Sequence, residues 1–182
     1  MKKLQIGIMG SAADLNYGDS ALEFARELWR LIADSENILV YGAEREYSSL
    51  STEAAKEADK NGGITVGVLG FSDGRIFGDF RPAVFINSGS GIGGGREYNL
   101  VLSCDVIIAI SGGSGTLTEI AIAYQAGIPI IVVPNFGGWA KKLSSKYLDD
   151  RKRIKCISAS SPSEALELAI SKGYEKCNKK LF

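Results

Sequence analysis

The sequence contains no histidine. That absence removes Ser-His-Asp and Cys-His nucleophilic catalysis and the usual zinc sites. Any chemistry must rest on carboxylates, arginine, lysine, hydroxyls or the backbone, and no metal site is expected. Cysteine is scarce: Cys104, Cys156 and Cys177 lie far apart and form no CxxC pair. This excludes a disulfide framework and points to a reduced, cytoplasmic protein. No run approaches the roughly 20 apolar residues of a membrane span, so no membrane partner is expected. The N-terminal "MKKLQIGIMGSAAD" passes from two lysines through a short apolar run into a glycine turn, which reads as a strand rather than a signal peptide. An excess of one charge is also lacking, with 21 basic against 21 acidic residues. A broad nucleic-acid surface would carry surplus lysine and arginine, so none is expected. The locally basic stretch Lys172 to Lys180 reads as a solvated terminal helix.

What is present is a regular alternation. Short apolar runs rich in Ile and Val, at Leu4–Gly10, Ile38–Gly42, Ile64–Gly70, Ala83–Asn87, Asp105–Ser111 and Ile128–Pro134, read as strands buried on both faces. Between them, "DSALEFARELWRLIADS" places Leu22, Ala25, Leu28, Trp29 and Ile32 at helical spacing. Leu50–Asn61, Gly95–Ser103, Thr116–Gln125 and Ser163–Ser171 read likewise, with Gly62-Gly63 and Gly127 where helix C-terminal glycines belong. The 182 residues are one domain's length. The expectation is a single α/β domain over residues 1–182. It is Rossmann-like and doubly wound, with a mainly parallel sheet of about six or seven strands and helices on both faces. Ligands of such sheets bind beyond the carboxyl ends of the strands.

Small-residue loops follow three strands: "GSAAD", "GA" and "SGGSGT". No GxxxxGK[ST] occurs, so a P-loop NTPase is excluded. Gly89-Ser90-Gly91-Ile92-Gly93-Gly94 spells GxGxxG, but not at the first strand–helix turn and without an acidic partner about 20 residues on. The stretch from Ser111 is more informative. A strand ends, glycines turn, and a helix starts at Thr116. The amides of Gly113, Ser114, Gly115 and Thr116 would then point outward at the positive end of the helix dipole, as in a phosphate site. Thr116-x-x-Glu119 also spells a capping box. A capping box needs no adjoining glycines, and these favour a ligand.

"GGSGTLTE" (Gly112–Glu119) resembles the GGxGTxxE signature of the "Lonely guy" phosphoribohydrolases and their relatives, often mislabelled lysine decarboxylases. Arg96 precedes Asp105 by the interval that separates the family's catalytic arginine from the acidic residue opening its strand. "IGIMGSAAD", "ILVYGA" and "NGGITVGVLG" resemble its first three strands and loops, so the resemblance covers about residues 4 to 134. The departures are Ser111 for proline, Glu97 for the lysine after the catalytic arginine, and "AEREYSSLS" for a glycine-rich second loop. They make the chain look closer to a related branch of uncharacterised proteins and molybdenum-cofactor carriers.

The resemblance implies hydrolysis of a nucleoside 5′-monophosphate such as AMP to free base and ribose 5-phosphate. Glu119 would stabilise the oxocarbenium-like transition state and Arg96 would bind phosphate or assist the departing base. No metal or organic cofactor is needed. The alternative is the same pocket holding a nucleotide or molybdenum cofactor without turnover. The phosphate-binding set is Gly112, Gly113, Ser114, Gly115 and Thr116, with Ser11 either joining it or capping the chain that follows. Asp14 and Asn16 read as turn residues. Glu44, Arg45 and Glu46 read as a solvated loop, and Trp139 as a cover for the sheet. The resemblance and the broadly apolar "EIAIAYQAGI" point to a homodimer or larger homo-oligomer.

Overall fold

A computed structural model describes residues 2–12, 17–91 and 95–179. Asp14, Asn16 and the Ile92-Gly93-Gly94 part of the GxGxxG pattern lie outside the described residues. Seven strands form one sheet: β1 (Gln5–Gly10), β2 (Ile38–Ala43), β3 (Ile64–Leu69), β4 (Val84–Asn87), β5 (Val106–Ile110), β6 (Ile130–Val133) and β7 (Ile157–Ser158). Their order is β4-β3-β2-β1-β5-β6-β7, and every pairing is parallel. The chain builds outward from β1 to β4, then crosses back to place β5 on the other side of β1. The two central strands pair from Ile6 opposite Val106 to Gly10 opposite Ile110. That reversal is the topological switch point of the sheet, where a crevice opens at the carboxyl edge.

The central strands are apolar on both faces because helices cover both. On one side α1 (Asp19–Asp34), α2 (Leu50–Lys60) and α6 (Pro162–Lys179) bury Leu28, Trp29, Ala55 and Ala165 against Ile6, Ile8 and Ile108. On the other, α3 (Arg96–Leu102), α4 (Ser114–Ala126) and α5 (Gly138–Lys142) bury Leu100, Ile120, Tyr124 and Ala140 against Met9, Ile107 and Ala109. Alternate residues of one strand thus serve opposite cores, as the period of two requires. Each fully buried Leu or Ile contributes about 1.5–3 kcal/mol.

Several expectations shift by a few residues. α4 begins at Ser114 rather than Thr116, with Gly113 as N-cap, and ends on Gly127 in the left-handed conformation at φ 70°. α6 runs on to Lys179, so residues 172–179 of the basic stretch form its last turns. The strand β7, the helix α5 and the 3-10 turn Pro134–Phe136 had no periodic signal, being two, five and three residues long.

Candidate functional site

A cleft of about 340 Å3 opens at the switch point. Its walls come from the end of β1 (Ile8, Met9, Gly10), the segment after β2 (Glu44, Tyr47), the start of α3 (Arg96, Glu97) and the first turns of α4 (Gly113 to Glu119). Arg96, Glu119 and the Gly113–Thr116 turn, distant in sequence, thus share one cavity.

The loop into α4 is built for two tasks. Gly112 has φ 102°, a conformation that L side chains rarely adopt, and a Cβ there would lie 2.5 Å from the Thr116 side chain. Gly112 therefore serves the turn. Gly115 has no such constraint, because a Cβ on it would meet nothing within 4 Å. The first bond of α4 runs from the Leu117 amide to the Gly113 carbonyl at 3.0 Å. The amides of Gly113, Ser114, Gly115 and Thr116 precede it, and these four residues line the cleft at the positive end of a 13-residue helix. The capping-box reading fails here, because Thr116 is the third helical residue rather than the cap. Its hydroxyl instead donates to the Gly10 carbonyl at a long 3.4 Å.

The loop is held from behind. Ser11 Oγ accepts the Gly112 amide at 2.9 Å and donates to Ser111 Oγ at 3.0 Å, which stitches the end of β1 to the end of β5. The Trp139 and Ala140 amides donate to the Gly112 and Ser111 carbonyls, each at 3.0 Å. This buttress from α5 was missing from the sequence reading; its only signal was the Gly137-Gly138 pair. Gly138 sits so close that a Cβ would lie 2.5 Å from the Ser111 carbonyl carbon. Trp139 packs partly buried against the α3–α4 side of the core, as expected of a sheet cover, with Lys142 over its ring at 4.3 Å.

The opposite wall is acidic and buried. Arg96 is 6 % exposed and gives Nη1 to Glu44 at 2.8 Å and Nε and Nη2 to Glu97 at 3.2 and 3.0 Å. Burial opposes its charge, but Glu44, Glu97 and Glu119 outweigh it and hold the guanidinium above its ordinary pKa. Glu44 is a correction to the sequence reading, in which it belonged to a solvated loop. It is buried and ion-paired, whereas Arg45 reaches Asp73 at 3.3 Å and only Glu46 is exposed. Arg96 is buried with its two partners. Glu119 is 6 % exposed and lines the cleft. Burial pushes its carboxyl up to about 8; Arg96 opposes the shift, and Glu97 and Glu44 reinforce it. Asp105 is elsewhere: at the opposite end of β5 it accepts the Gln5 amide at 3.0 Å and pairs with Lys2.

The chain matches the SLOG cluster4 family over residues 3–166. It belongs to that family. An uncharacterised protein of Archaeoglobus fulgidus is 30 % identical over 129 residues, 70 % of this chain and 78 % of that protein. Among solved structures, the molybdenum cofactor binding protein of Rippkaea orientalis is 29 % identical with a TM-score of 0.77, covering 94 % of this chain and 98 % of that one. The molybdenum cofactor carrier protein of Chlamydomonas reinhardtii is 27 % identical with a TM-score of 0.76, covering 93 % and 98 %. This SLOG cluster4 chain thus shares a nucleotide-binding type of fold with named carriers. No helix among its described residues is long and apolar enough to cross a membrane.

Proposed function

We propose that the protein binds a phosphate-bearing, nucleotide-like ligand of the molybdenum cofactor kind and releases it unchanged. The phosphate rests on the amides of Gly113, Ser114, Gly115 and Thr116, where the helix dipole favours an anion. The cleft volume of about 340 Å3 lies at the small end of the range for small-molecule sites. The observation that carries the reading is the state of Arg96: its Nε, Nη1 and Nη2 are each engaged by Glu44 or Glu97 in the cleft wall.

Hydrolysis of a nucleoside 5′-monophosphate, the reading that the GGSGTLTE motif supports, asks for two things. Arg96 must be free to meet the phosphate or the departing base, and Glu119 must be ionised to face an oxocarbenium-like charge. In the ligand-free cleft burial pushes the Glu119 carboxyl up to about 8, and two carboxylates hold Arg96. The test is a panel of nucleoside monophosphates and the molybdenum cofactor, scored both for binding and for released base. Binding without release is expected; release that Glu119→Ala abolishes would restore the hydrolase.

The partner in assembly is a second copy of the chain. Tyr98 and Leu102 are exposed on α3 beside Leu117, Ala121 and Ile122 of α4, around an apolar hollow of about 540 Å3. A homodimer closing over this face would bury it.

A further inference from the structure

One carboxyl in the cleft accepts no hydrogen bond from any described residue. Glu119 is more than nine-tenths buried and lines the cleft, yet no donor among the described residues hydrogen-bonds to it. Arg96, the one cation lining the cleft among those residues, hydrogen-bonds to Glu44 and Glu97 and acts on Glu119 only through its charge. The Glu119 oxygens are not enclosed, unlike Trp29 Nε1 and Tyr41 OH; they open on the cleft, where a ligand can supply the missing donors. The other end of the same cleft supplies donors for an anion. Glu119 lies five residues beyond Ser114, about 7.5 Å along the helix axis at 1.5 Å per residue. One small ligand can therefore touch both ends.

We infer that the ligand carries paired N–H donors at its ring end, the ring N–H beside an exocyclic amino group that guanine and pterin share, and that Glu119 reads this edge. The inference rests on the binding function proposed above. A carboxylate accepts two parallel N–H bonds, as it does from a guanidinium. Adenine presents a donor beside an acceptor, which leaves one carboxylate oxygen facing a lone pair. Glu44 and Glu97 deepen the negative potential around Glu119 and further disfavour acceptor-rich edges. Donors from the ligand favour the ionised carboxyl, so binding at neutral pH expels a proton from Glu119. The charged groups facing it are Arg96 and Glu97 from α3 and Glu44 from the segment after β2.

The experiment is calorimetric titration of the full chain at neutral pH in two buffers of different ionisation heat. The ligands are GMP, IMP, which lacks the amino group, neopterin monophosphate, and pyrophosphate as a probe of the phosphate end alone. GMP and neopterin monophosphate are expected to bind about tenfold more tightly than IMP, with proton release. The tighter of the two identifies the ring that the site accommodates, nucleoside or pterin. In Glu119→Gln the preference over IMP should collapse and the proton release vanish, while pyrophosphate still binds and reports an intact loop. Equal affinity for GMP and IMP in the wild type, or a preference that survives in Glu119→Gln, would overturn the assignment. A wild-type protein that binds nucleotides but shows no edge preference leaves the binding function standing. One that fails to bind even pyrophosphate overturns both.

Discussion

Glu119 makes the stability of the ligand-free fold depend on pH. Its folded pKa of about 8 lies above the ordinary value of 4.5, so between the two the folded chain keeps a proton that the unfolded chain releases. The native state then binds more protons, and stability falls as pH rises through that window. The ligand-free protein should melt at a lower temperature near about pH 8.5 than near about pH 5.5. Glu119→Gln should narrow this difference, measured by circular dichroism. An unchanged difference in the variant would mean that other groups set the dependence. Arg96 and Glu119 were legible in the sequence because each belongs to a spaced motif. Glu44 was not. The loop that holds it departs from the motif, and three charged residues in a row resemble solvated surface. The missed signal was position: Glu44 follows β2 directly, at the carboxyl edge where ligands of parallel sheets bind.

The strand–loop–helix element of β5 and α4 separates glycines needed for the fold from a glycine available to a ligand. Gly115 has open space around its Cβ position and no positive φ, so Gly115→Val should leave the melting temperature nearly unchanged. The added side chain stands where a phosphate must approach the amides, and nucleotide affinity measured by calorimetry should fall. Gly112→Ala should do the reverse in kind, destabilising the protein by about 1–3 kcal/mol through backbone strain alone, with the Thr116 clash added. Unaltered affinity in Gly115→Val would mean that all the glycines serve the turn. Elements with a long apolar period were legible to within a few residues. The buttress α5 and the edge strand β7 were not, because elements of five and two residues have no measurable periodicity and are fixed by tertiary contacts. Even so, α5 holds two carbonyls of the candidate phosphate loop.

At the scale of the whole molecule, alternation of apolar runs and amphipathic segments is enough to predict a doubly wound parallel sheet, since parallel strands need crossovers that helices supply. The order of the strands is not written in that alternation. It is the return of β5 to the free side of β1 that creates the crevice, and with it the meeting of Arg96, Glu119 and the glycine loop. The exposed Tyr98 and Leu102 line a neighbouring hollow that shares Thr118 with that crevice. If two copies pair there, light scattering at micromolar concentration should give twice the 19.4 kDa chain mass. Leu102→Asp should then give a monomer that still binds nucleotide; a wild-type monomer would contradict the pairing.

The central claim is that this cleft holds its ligand without cutting it, and free base is the product that decides. The purified protein should be incubated with AMP, GMP and the other nucleoside 5′-monophosphates, with released base followed by chromatography and binding confirmed in parallel. The account predicts bound nucleotide and no base above the protein-free control, across the range in which Glu119 gains and loses its proton. Base released by the wild type and lost in Glu119→Ala would contradict it and return the protein to the phosphoribohydrolases.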